Sequence, residues 1–127
     1  MQKADFFSRR DPRYDIAPGR GRVEFTDPQD PSRTHRGSLS KISVCGVNFE
    51  IEDPRWRIPR GTVLSAQVVV GACHLAGEII VRDMRPLDDD RIEIGALFQP
   101  ASESDELLLL GLVTGIEAAA TETARVR

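Results

Sequence analysis

Lys41-Ile42-Ser43-Val44-Cys45-Gly46 joins two apolar runs whose side chains do not share a register. Leu39 belongs to the odd-numbered face, Ile42 and Val44 to the even one, and Val47, Phe49 and Ile51 to the odd face again. Because a one-residue slip exchanges the two faces of a strand, a flat strand cannot bury all of these on one side. Ser43 to Gly46 is therefore expected to be a forced bend between strands, with Gly46 supplying the backbone freedom for a bulge or tight turn.

Strand signals surround this bend. Upstream, Arg20-Gly-Arg-Val-Glu-Phe-Thr26 alternates Val23 and Phe25 with Arg22 and Glu24, and Asp27-Pro-Gln-Asp-Pro-Ser32 stops it with two prolines that cannot donate to a ladder. A second strand begins near Gly37 and leads into the bend. Downstream, Asp53 to Gly61 reads as a proline-rich loop in which Trp56 would seal a barrel edge. Leu64, Ala66, Val68 and Val70, a reversal at Gly71-Ala72-Cys73, and then Leu75, Gly77, Ile79 and Val81 form a hairpin. Asp88-Asp-Asp90 marks a turn before Arg91 to Phe98, where Ile92, Ile94, Ala96 and Phe98 share a face.

About six short strands with hairpin-like connections favour an antiparallel sheet curled into a small barrel or sandwich. The period changes after Pro100. Ser102 or Ser104 can cap a helix whose first turn holds Glu103, Asp105 and Glu106, and Leu109, Leu112, Val113 and Ile116 form a stripe at helical spacing. The leucines at 107 to 110 read as core. The expected organisation is a flexible basic arm over residues 1–19, mobile unless something holds it, a barrel with a C-terminal helix over 20–117, and a frayed tail over 118–127.

The totals set limits on function. A chain of 127 residues, 40% hydrophobic and 29% charged, supports one soluble domain. No apolar run approaches the roughly 20 residues of a spanning helix, and the N-terminus lacks a signal-peptide pattern, so a cytoplasmic location without membrane insertion is expected. The net charge of −3 argues against bulk nucleic-acid binding, yet through Arg22 six basic residues face three acidic ones. Positive charge is concentrated in the arm. Cys45 and Cys73 lack metal or redox spacing and read as buried thiols. His35 and His74 lack a second ligand at metal spacing, and Asp88 to Asp90 lacks the calcium-loop pattern. No nucleophile, base and orienter occur in motif form, which argues against an enzyme.

Two separated motifs carry the functional reading. Arg9 and Arg13 fit RxxxR, with Arg10 doubling the first arginine, and Ser43 and Gly46 fit the last two fixed positions of [D/N]xSxxG. With the basic arm, a six-stranded antiparallel β-barrel and a C-terminal helix in this order, the chain resembles the PilZ family over roughly residues 6 to 116. Ile58-Pro-Arg-Gly-Thr-Val-Leu64, Gly77 to Arg82 and Glu93 to Phe98 also look like segments of that family. The resemblance implies an all-β fold with a C-terminal helix and a cyclic di-GMP receptor or adaptor with no further cofactor. It implies ligand binding by Arg9, Arg10, Arg13, Lys41, Ser43 and Gly46, with an arm that orders on the ligand. It also implies a protein partner in motility, polysaccharide export or signalling.

The chemistry suits these residue types. Arginine pairs two donors with guanine O6 and N7 or with a phosphate, and stacks its planar cation on a base. Ser43 would offer a hydroxyl at the bend. Lys41 departs from the motif, since it stands where the pattern has Asp or Asn and carries donors only. The alternative expectation is thus a PilZ-like interaction module that does not bind the nucleotide. An oligonucleotide-binding barrel fits less well, because few aromatics fall on the strands to stack bases.

Overall fold

Among the described residues, side-chain alternation resolves into seven strands and a helix. The computed structural model describes residues 12–52 and 58–126, so Phe6, Phe7, Arg9, Arg10 and Trp56 lie outside the described residues. The strands are β1 (Tyr14–Asp15), β2 (Gly21–Thr26), β3 (Thr34–Ile42), β4 (Gly46–Ile51), β5 (Val63–Val70), β6 (Cys73–Pro86) and β7 (Ile92–Pro100); the helix α1 is Glu103–Val126. All pairings are antiparallel. Six strands run β3-β2-β5-β6-β7-β4, and the pairing of β3 with β4 closes them into a barrel. The extra strand β1 pairs with β3 at Ile42 and Lys41, beyond the Ser38 end of the β2 ladder.

The barrel interior is filled by the alternating residues read from the sequence. Val23, Ile42, Val47, Val68, Leu75, Ile79 and Ile94 are fully buried, and the rings of Phe25 and Phe49 lie 5.5 Å apart across the core. The β5–β6 hairpin turns through Gly71 and Ala72, with Val70 opposite Cys73. Gly71 takes a φ of 58°, the positive value that a two-residue hairpin loop needs at its first central position and that a Cβ disfavours.

The register problem is solved in two places rather than one. Pairing of β3 with β4 shifts between Leu39 and Lys41, so Ser40 is an extra residue, and both Leu39 and Ile42 point inward. Ser40 is tied on both sides: its carbonyl accepts the Ile16 N–H at 2.9 Å and its hydroxyl donates to the Asn48 carbonyl at 3.0 Å. The Ser43–Gly46 turn then reverses the chain. Val44, read on the same even-numbered face as Ile42, is 36% exposed at the turn while Ile42 is buried, and the strand entering it begins at Thr34 rather than near Gly37. A second shift between Val81 and Asp83 lets both Val81 and Met84 pack on the core.

The residues that follow Pro12 depart from a free arm. Tyr14 and Ile16 pack against the core, and β1 adds two ladder positions on β3. At the other end, Ser102 is the helix cap: its hydroxyl accepts the Asp105 N–H at 3.1 Å and donates to Asp105 Oδ2 at 2.6 Å. Asp105 Oδ1 also accepts the Ala76 N–H of β6 at 3.0 Å, which pins the first turn of α1 to the barrel. Leu109 and Val113 are buried there, with Leu112 and Ile116 packed beside them. The other leucines of the run are not core. Leu107, Leu108 and Leu110 are 65%, 49% and 45% exposed, because only one residue in three or four of a helix faces its support. The helix continues to Val126, past the tail boundary expected at 118, in keeping with the helix-favouring Ala and Glu content of that segment.

Candidate functional site

The site begins with the turn between β3 and β4. A two-residue hairpin loop usually needs a central residue at positive φ, which β-branched Val44 resists, and neither Val44 nor Cys45 has one. Ser43 resolves this with its side chain. Its N–H donates to the Gly46 carbonyl at 2.9 Å, while its hydroxyl oxygen accepts the Gly46 N–H at 3.0 Å and the Cys45 N–H at 3.3 Å. Ser43 is completely buried, and its hydroxyl is turned into the bend. The Cys45 carbonyl accepts the Phe98 N–H at 2.9 Å, which ties the turn to β7.

Gly46 contributes space rather than backbone freedom. Its φ is not positive. A Cβ placed there would lie 3.0 Å from the Ala96 carbonyl oxygen and 3.0 Å from Cζ of Arg13, with the Arg13 Nη2 closer still. The arginine of the arm therefore rests its guanidinium directly over the glycine of the turn, although 33 positions of sequence separate them. Arg13 Nη1 donates to Asn48 Oδ1 and, at 3.4 Å, to the Val47 carbonyl. Arg13, Ser43 and Gly46 are thus brought to one place.

Lys41 is exposed on β3, opposite Asp15 of β1 on one side and Asn48 of β4 on the other. It stands beside the Arg13 site without supplying an acceptor to it. Arg9 and Arg10 lie outside the described residues. Asn48 was missed by the sequence reading, since a single polar residue between Val47 and Phe49 looks like any outward strand position. Cys45 and Cys73 are both half-exposed rather than buried. His35 pairs with Asp27 at 2.7 Å and stacks on Phe25 at 5.4 Å, away from the turn in sequence and in strand register. The His35 hydrogen bond, followed by the Gln29 N–H, holds the Asp27 carboxyl below the ordinary aspartate range. At the β6–β7 connection Asp88 accepts the N–H groups of Asp90 and Arg91, each at 2.9 Å, which accounts for the turn and keeps its carboxyl ionised to lower pH.

No family model matches the chain, and no curated protein matches it either. Solved structures do. The MrkH–c-di-GMP complex of K. pneumonia superposes with a TM-score of 0.76 at 12% identity, covering 90% of this chain and 53% of MrkH. The PilZ domain with c-di-GMP of YcgR from Escherichia coli gives 0.69 at 17% identity, covering 91% of this chain and 96% of that domain. The Bacillus subtilis inhibitor of motility MotI/DgrA gives 0.69 at 15% identity, covering 94% and 53%. The chain spans about half the length of MrkH and of MotI/DgrA but nearly all of the isolated YcgR domain. A closed six-stranded antiparallel barrel, an added N-terminal strand and one C-terminal helix, aligned end to end with that domain, make this chain a PilZ-like domain in fold.

Proposed function

We propose that this domain is a cyclic di-GMP receptor that acts on a partner protein and carries out no catalysis of its own. The observation that supports the reading is the seat of Arg13 over Gly46. A guanidinium held at a glycine presents donors beside bare backbone, where a flat base edge or a phosphate can approach without meeting a side chain. Neighbours of the same fold have been solved with c-di-GMP, which makes that nucleotide the first ligand to test. In this reading Arg9 and Arg10 close over the ligand from the segment ahead of Pro12, while residues from Arg13 onward already stand in place. Ser43 contributes by building the turn, and Lys41 meets a phosphate rather than a base edge.

The partner would be met through α1, whose Leu107, Leu108 and Leu110 present apolar surface to solvent. A role in motility, polysaccharide export or another signalling output in the cytoplasm fits such a receptor. No helix among the described residues is long and apolar enough to cross a membrane. Calorimetric titration with cyclic di-GMP tests the proposal: saturable binding is expected for the parent, weakened at least tenfold by Arg13→Ala, since a charge-assisted hydrogen bond to an ionised partner contributes about 1.5–3 kcal/mol. Absence of heat at tens of micromolar protein, or an Arg13→Ala variant equal to the parent, overturns it and leaves the nucleotide-free interaction module.

A further inference from the structure

Directly opposite residues on neighbouring antiparallel strands share a face of the sheet. Four pairings therefore set out one row on the outside of the barrel: Asp15 opposite Lys41, Lys41 opposite Asn48, Asn48 opposite Gly95, and Gly95 opposite Asp83. Within it, Lys41 is the position that carries Asp or Asn in the motif this sequence otherwise follows. Its neighbour across the hairpin is an amide. Asn48 Oδ1 accepts a hydrogen bond from Arg13 Nη1, and Asn48 is half-buried while Lys41 is exposed.

An acceptor is what a lysine cannot be. We propose that Asn48 is the positioning residue that orients Arg13 for guanine recognition, an acceptor moved one strand across from position 41. The proposal rests on the receptor reading given above. Anchored through Nη1 to Asn48 and to the Val47 carbonyl, the guanidinium plane cannot rotate freely, and its Nη2 lies over Gly46. A fixed plane matters because guanine O6 and N7 accept two parallel donors in one orientation, whereas adenine replaces O6 with a donor amino group. A phosphate contact would tolerate rotation. Orientation by Asn48 is therefore a determinant of base choice more than of charge attraction. The same bond fastens the arm, since Arg13 immediately precedes β1, and just after β1 the Ile16 N–H is held by the Ser40 carbonyl at 2.9 Å.

The test uses the full chain and four variants: Asn48→Ala, Asn48→Leu, Asn48→Asp and Lys41→Asp/Asn48→Ala. Cyclic di-GMP and cyclic di-AMP are titrated against each, and exchange of the Ile16 amide is followed without nucleotide. Asn48→Ala and Asn48→Leu are expected to lose about tenfold in cyclic di-GMP affinity, with a smaller preference for guanine over adenine. Asn48→Asp, which keeps an acceptor, should retain the preference, and Lys41→Asp should restore it in the Asn48→Ala background. Faster Ile16 exchange in Asn48→Ala is expected whether or not a nucleotide binds. A parent that binds no cyclic di-GMP overturns the receptor reading. A parent that binds, with Asn48→Ala and Asn48→Leu folded and equal to it in guanine preference, overturns the role of Asn48 alone. Should one of them fail to fold, the other carries the comparison, and loss of preference in Asn48→Asp also overturns it.

Discussion

Replacing Ser43 by alanine removes one oxygen and leaves two backbone N–H groups without their acceptor. The Gly46 N–H, now bonded at 3.0 Å, lies in a buried residue where water cannot replace the hydroxyl. The Cys45 N–H, at 3.3 Å, belongs to a half-exposed residue that water can reach, so its loss adds little. An orphaned buried donor costs about 1–3 kcal/mol, and Ser43→Ala is expected near the middle of that range, about 2 kcal/mol. At on the order of 4 °C per kcal/mol for a domain of this size, the melting temperature should fall by roughly 8 °C. Ser40→Ala is the control. Its half-buried hydroxyl makes one bond, to the Asn48 carbonyl at 3.0 Å, and the expected cost is about 1 kcal/mol or less. Urea unfolding of the parent and both variants, with the slope checked for constancy, measures the difference. A Ser43→Ala variant no less stable than Ser40→Ala would refute the assignment of this hydroxyl to the turn.

Leu109→Ala should destabilise by about 2–5 kcal/mol in the same unfolding assay, because its side chain fills the junction of α1 with the barrel, whereas Leu107→Ala should stay within about 0.5 kcal/mol. The Asp105 carboxyl should titrate below the ordinary aspartate value in the folded protein, held there first by the Ser102 hydroxyl and then by the Ala76 N–H. A folded-state pKa lower than the unfolded one contributes stability at all pH values above the unfolded pKa. That contribution is lost as pH falls through the folded value, and Asp105→Asn should remove it. Carboxyl chemical shifts and acid unfolding of the parent and Asp105→Asn check the sign; steeper acid unfolding in the variant would contradict it.

The elements that alternate strictly were legible in the sequence. Val63 to Val81 carried a hairpin because its inward residues repeat every second position around a turn with a glycine, and Leu109, Val113 and Ile116 carried a helix face by the same logic at longer period. The bend at Ser43 to Gly46 was legible as a bend, but its mechanism was not: the serine side chain closes it, and the glycine is there to admit Arg13 and the Ala96 carbonyl. The bulge at Ser40 was missed because what stabilises it, the Ile16 N–H, arrives from a distant segment. β1 was missed for a related reason, since two residues cannot show a period. The bond from Arg13 to Asn48 was not legible either, since strand alternation says nothing about a side chain's partner.

The attachment of β1 also has a mechanical meaning. Its ladder comprises two positions on β3, Tyr14 with Ile42 and Asp15 with Lys41, while the barrel wall is closed without it through β3 and β4. Tension applied at Pro12 would load the Arg13 bonds to Asn48 and Val47 first and then those two ladder positions in turn, as a tab is peeled, and the closure of β3 on β4 would not need to open for the tab to come away.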